Sequence, residues 1–156
     1  MPSIPFNPDW YGPGASVVAR DGACTVIDYG CPGQGLVKSY QLFDGVQICF
    51  LDFETDAVLP SQTFNVEILE VTCCRGGRYE SEYADHTVSY LPEGCFSVAG
   101  AARLPVSFSF PLGKYAGTSL VVDGQALSAS TSWLLEAMAI DPAQIRRDLG
   151  TEKSCY

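Results

Sequence analysis

The 156-residue chain carries a formal net charge of −9, a pI near 4.3, 47% hydrophobic residues and seven cysteines. With nine Lys and Arg, and Arg146-Arg147 as the one adjacent basic pair, it lacks the clustered positive surface that nucleic acid requires. Its apolar content suits one domain with a full core, and no apolar run reaches the ~18 residues of a membrane span.

The opening stretch MPSIPFNPDWYGPG has neither a cationic start nor an apolar core, so it does not read as a secretory signal; a cytoplasmic chain with an N-terminal arm at 1–14 is expected. A period of two follows. SVVAR (16–20), CTVID (24–28), LVKSYQLF (36–43) and VQICFLDF (46–53) read as strands, the last two joined by an Asp44-Gly45 hairpin turn. VEILEV (66–71), YESEY (79–83), TVSYL (87–91), FSV (96–98), VSFSF (106–110) and TSLVV (118–122) continue the pattern. Turns are predicted at Arg75-Gly76-Gly77, Asp85-His86, Pro92-Glu93-Gly94 and Pro111-Leu112-Gly113. Eight to ten short antiparallel strands point to a mainly β sandwich or small jelly-roll barrel. The period then becomes helical over STSWLLEAMAI (130–140). Asp141-Pro142 supplies a cap and first residue for a second helix, AQIRRDL, which Gly150 would stop. The expected organisation is a barrel over 1–128 and a helical tail over 129–156. The end at Cys155-Tyr156, just after an apolar onset, reads as a cut chain.

Residues 73–95 look reactive, with three cysteines and the sole histidine, but spacing argues otherwise. Cys73 and Cys74 are neighbours on a strand and point to opposite faces, and His86 sits in a turn, so no four-ligand metal set forms. The cysteines read as reduced, mostly buried packing residues, although Arg75 and Arg78 could favour a Cys73 or Cys74 thiolate. Glu67, Glu80 and Glu82 read as charges on a solvated sheet face. The glycines of GCPGQG (30–35) lack the strand-to-helix setting of a phosphate loop. No catalytic residue, metal or cofactor is assigned. Tyr79, Tyr83, Phe108, Phe110 and Tyr115 alternate along their strands as core, or as the walls of a small-ligand pocket. In the tail, Trp133, Leu134, Leu135 and Met138, with Ile145, are candidates for a dimer face or for packing on the chain's own sheet.

Three motifs carry a resemblance. Cys74, Gly77, Arg78 and Glu80 fit C-x-x-G-R-x-E. Tyr90, Leu91 and Gly94 fit Y-L-x-x-G-D. Phe110, Pro111, Leu112, Tyr115 and Gly117 fit F-P-L-x-x-Y-x-G. In this order, over residues 36–149, the chain resembles the N-terminal domain of bacterial AraC-type transcriptional regulators. The resemblance implies a cupin-like barrel followed by helices, sensing a small-molecule effector and forming a homodimer. DNA would be read only by a C-terminal helix-turn-helix domain absent from this chain. Cys95 departs from the pattern, where the second motif has aspartate. The histidine-rich motif of metal-binding cupins is missing, so catalysis is not implied. The alternatives are a stand-alone small-molecule-binding cupin and a metal-free cupin enzyme. The enzyme would need a barrel-lining acid–base pair, for instance Tyr79 or Tyr83 with Glu80 or Glu82. Period two sets a Tyr and the adjacent Glu on opposite faces, so only a cross-strand partner could complete it.

Overall fold

A computed structural model describes residues 11, 14–61, 67–100 and 104–149. The expected fold class is the one observed: antiparallel strands in a curled half-barrel, followed by two short helices. The strands are β1 (Ser16–Asp21), β2 (Cys24–Asp28), β3 (Gln34–Phe43), β4 (Val46–Glu54), β5 (Leu59–Pro60), β6 (Ile68–Glu82), β7 (Val88–Pro92), β8 (Phe96–Gly100), β9 (Ser107–Ser109) and β10 (Lys114–Asp123). They run in the order β1-β2-β3-β4-β10-β6-β9-β5, with β7 and β8 also pairing with β6. The helices are α1 (Ala129–Ala137) and α2 (Pro142–Leu149). No helix among the described residues is long and apolar enough to cross a membrane.

Three of the four predicted turns stand. Gly94 and Gly113 take positive φ at theirs, and His86 does so at the exposed β6–β7 tip, where Asp85 accepts from the Thr87 amide and hydroxyl. The fourth is corrected. Arg75-Gly76-Gly77 is no turn: it lies inside β6, which runs unbroken for 15 residues through the segments predicted as two strands. On β10, Gly117 faces Cys74 while Ala116 faces Gly76, so Arg75 is an extra, bulged residue. Such a bulge bends a strand and carries it from one sheet to another. Upstream of it β6 pairs with β10 and β8; downstream, Gly76 and Gly77 still pair with β10, and from Arg78 onward the strand pairs with β7 and β9. Two glycines serve a turn or a bulge equally well, because both need φ that side chains resist.

The bulge also changes which residues face inward. Ile68, Glu70, Thr72 and Cys74 turn to the concave side before it; Tyr79, Ser81 and Tyr83 do so after it. The main core lies on that side, around Ile27, Val37, Phe53, Cys74, Phe110 and Tyr115. A second cluster lies on the convex side, where Val46, Leu69 and Val122 meet Val98, Leu127 and Ile145 of α2. Arg146 completes this dock with an ion pair of 2.7 Å to Glu67 and a hydrogen bond to its carbonyl.

The helices begin as their caps dictate. Ser128 accepts from the Thr131 amide at 3.2 Å, and Asp141 from the Gln144 amide at 2.9 Å. The first helix ends at Ala137 rather than at 140, where Ala139 takes a positive φ of 56°. Gly150, the cut-end reading at 155–156 and nearly all of the N-terminal arm lie outside the described residues.

Candidate functional site

The curl of the sheet encloses a cavity of about 130 Å³. For scale, a cavity of ~150 Å³ accommodates a benzene-sized molecule. All five aromatic residues singled out from sequence, Tyr79, Tyr83, Phe108, Phe110 and Tyr115, line it. Tyr29 and Phe53 join them from the other wall. The rings pack in stacked and edge-on pairs: Phe110 stacks on Tyr115 at 4.9 Å, Tyr79 on Phe108 at 5.6 Å, and Tyr29 meets Phe53 edge-on at 5.1 Å.

The other end of the cavity is polar, and this escaped the sequence reading. Register alignment places Thr25, Ser39, Cys49, Ser119, Thr72 and Ser97 in one row across six strands. Residues directly opposite in an antiparallel pair share a face, so the row forms a band of small polar side chains. Thr72 and Ser119 hydroxyls lie 2.8 Å apart, and Ser39 donates to Gln47 at 2.7 Å. Glu70 stands one step along β6 on the same side. It is half-buried and lines the cavity. Burial pushes its carboxyl above the usual carboxylate range, and hydrogen bonds with Ser119 and Thr72 offset this only in part. Burial likewise pushes the Cys49 thiol up to about 11. The visible signal was the alternation Ile68, Glu70, Thr72, Cys74, but only a cross-strand alignment turns it into a site.

Tyr115 closes the gap between the two ends. Its ring leans along β10 over Gly117, where any Cβ would strike the hydroxyl and the ring edge. That hydroxyl is buried and has no hydrogen-bond partner among the described residues.

The remaining sequence candidates fall elsewhere. Glu80 pairs with Arg78, whose guanidinium lies 4.5 Å from the Tyr90 ring centre. Glu82 faces His86 at 3.4 Å, and Glu67 holds Arg146. Among the described residues that line the cavity are Tyr79 and Tyr83 but neither Glu80 nor Glu82. Cys74 is fully buried and Cys73 exposed, on opposite faces as expected. Burial raises the Cys74 thiol, against the thiolate option. The expectation of mostly buried cysteines is corrected: of the six described, Cys49 and Cys74 are buried, Cys24 and Cys31 half-buried, Cys73 and Cys95 exposed. The departure at Cys95 is harmless to its turn, because the backbone closes it from the Cys95 amide to the Pro92 carbonyl. Trp133 on α1 and Met138 at its C-terminal cap are exposed, at 68% and 59%, while Leu134 and Leu135 are half-buried.

The pKa direction of Glu70 yields a stability prediction. A carboxyl whose folded pKa is raised supports the fold below its unfolded value and loses that support as pH rises through the folded value. Glu70→Gln removes the ionisation while keeping the shape. Its melting temperature is expected to match the parent near pH 4 and to exceed it increasingly towards pH 8. A parent that gains on the variant as pH rises would show that the anion is stabilised.

The class defined by this fold is a curled antiparallel barrel with C-terminal helices and an aromatic and hydroxyl-lined cavity. No family model matches the sequence, and no curated protein matches it. Several solved structures are similar. One is the cupin_2 domain of an XRE family transcriptional regulator from Enterobacter cloacae, at 14% identity and TM-score 0.48, covering 56% of this chain and 95% of that one. Another is an uncharacterised conserved protein with a double-stranded β-helix domain from Klebsiella pneumoniae, at 13% identity and TM-score 0.49, covering 62% and 84%. An HTH_3 family transcriptional regulator from Vibrio cholerae is similar at 15% identity and TM-score 0.44 over 55% of this chain, and the match spans half of that protein's length.

Proposed function

We propose that this chain is the effector-sensing and dimerisation domain of a cytoplasmic AraC-type transcriptional regulator, binding a small molecule without transforming it. The observation that carries the reading is the sharing of three strands between cavity and helix. On β6 Glu70 faces the cavity and Leu69 the helix dock. Ser97 and Val98 divide in the same way on β8, and on β10 Ser119 lines the cavity while Val122 joins the dock. A ligand that prefers one curvature of these strands shifts the seat of α2 directly. Population shift of this kind needs differential binding on the order of 1–3 kcal/mol. The sequence motifs at 74–80, 90–94 and 110–117 support the family assignment.

Reading the coding DNA beyond the Tyr156 codon tests this. A frame continuing for about a hundred residues, net basic and with two helix-turn-helix patterns, is the expected result; an immediate stop codon overturns the regulator reading. Dimerisation is proposed through the exposed face of α1. Trp133→Glu changes a side chain that is 68% exposed, so it is expected to leave the fold intact and give a monomer by light scattering. A folded dimer would discard that face.

A further inference from the structure

We infer that the cavity binds a compact organic cation, a primary ammonium on an apolar body about the size of one ring, with the ammonium seated on Glu70. This rests on the small-molecule-binding reading above and specifies the class of ligand.

Charge decides first. Among the described residues that line the cavity, Glu70 is the one carboxylic acid, and none is a lysine, arginine or histidine. A buried carboxylate without a counter-ion is costly, and it repels carboxylates and phosphates. A ligand ammonium supplies the missing partner. The raised carboxyl of Glu70 agrees with an acid that lacks one. Donor geometry decides second. Thr72 and Ser119 stand beside Glu70 as hydroxyl acceptors, so an ammonium with several N–H bonds finds more than one partner there, which a quaternary ammonium would not.

The walls decide the rest. Tyr29, Phe53, Phe110 and Tyr115 line the rest of the cavity, and this aromatic wall accepts an apolar body. The Tyr115 hydroxyl, buried and unpartnered over Gly117, stands about 7 Å along β10 from Ser119, two residues of strand rise. That spacing spans one ring-sized body between the ammonium end and the tyrosine end. The volume of about 130 Å³ sets the same limit.

Calorimetric titration of the full chain with benzylamine, and with the near-isosteric neutral benzyl alcohol, separates the possibilities. Benzylamine is expected to bind at least about tenfold more tightly, the value of one charge-assisted contact. Glu70→Gln, checked for folding by circular dichroism, is expected to abolish the preference. Equal binding of the two probes, a preference that survives Glu70→Gln, or binding of neither overturns the inference. Benzyl alcohol binding alone would overturn the cation while leaving a sensing pocket in place. Should Glu70→Gln not fold, the parent's ranking of benzylamine over benzyl alcohol, with no binding of benzoate, decides.

Discussion

Phe110→Ala is expected to lower the unfolding free energy by about 3–5 kcal/mol, the range for removing a buried aromatic side chain. Phe110 is 2% exposed and sits at the centre of the ring cluster, with Phe53 at 4.7 Å, Tyr115 at 4.9 Å and Phe108 at 5.8 Å. Its ring lines the cavity, so its loss enlarges a void that the surrounding strands cannot close without breaking register. For a chain of this size, each kcal/mol moves the melting temperature by ~2–4 °C, so a fall of roughly 6–20 °C is expected. Leu112→Ala, at a side chain 67% exposed in the next turn, serves as the control and is expected to stay within about 0.5 kcal/mol. Equal melting temperatures for the two variants would show that the rings do not form the core described.

Gly77→Ala is expected to be nearly as damaging, for a different reason. Gly77 has φ +83°, and a Cβ there would lie 2.9 Å from the Lys114 carbonyl carbon and 3.1 Å from the Tyr115 Cα, with the Lys114 oxygen closer still. These are backbone atoms of the neighbouring strand, so relief requires β6 and β10 to separate beside the bulge. Conformational strain and overpacking together are expected to cost about 3–5 kcal/mol. Gly94→Ala isolates the strain: its φ is +80°, but nothing lies within 4 Å of the added carbon. That variant is expected to lose about 1–2 kcal/mol. Thermal melts of both variants against the parent check the difference, and equal losses would mean that the close approach of β10 contributes nothing.

Gly77 also shows where sequence reading reached its limit. Arg75-Gly76-Gly77 between two alternating segments fits a hairpin turn, and composition cannot distinguish that from a bulge. The distinction depends on β10, forty residues further on, whose register leaves Arg75 unpaired. Had it been a turn, VEILEV and YESEY would have been neighbours; instead Ile68–Glu82 form one strand serving two sheets. The β5 strand, two residues at Leu59–Pro60, was missed because its pairing with β9 is tertiary and its length gives no period.

Local chemistry was more legible. Period two marked the strands from 16 to 53 and from 87 to 122, and cap residues placed both helices within a few residues. Alternation put Cys73 and Cys74 on opposite faces and kept Glu80 apart from Tyr79. The aromatic residues were found as a group because inward positions repeat along each strand.

The sequence by itself therefore determined the mainly β class, the helical tail, most turn positions and the aromatic half of the cavity. Each of these is encoded by the period and turn chemistry of short segments. Tertiary structure alone decided the bulge at Arg75, the change of inward face across it, and the site around Glu70, Thr72 and Ser119. Glu70 and Ser119 stand 49 positions apart in the chain, and Glu70 looks like any other surface acid until β10 and β8 close on either side of β6. Burial and cross-strand register make it a site, and both belong to the assembled sheet.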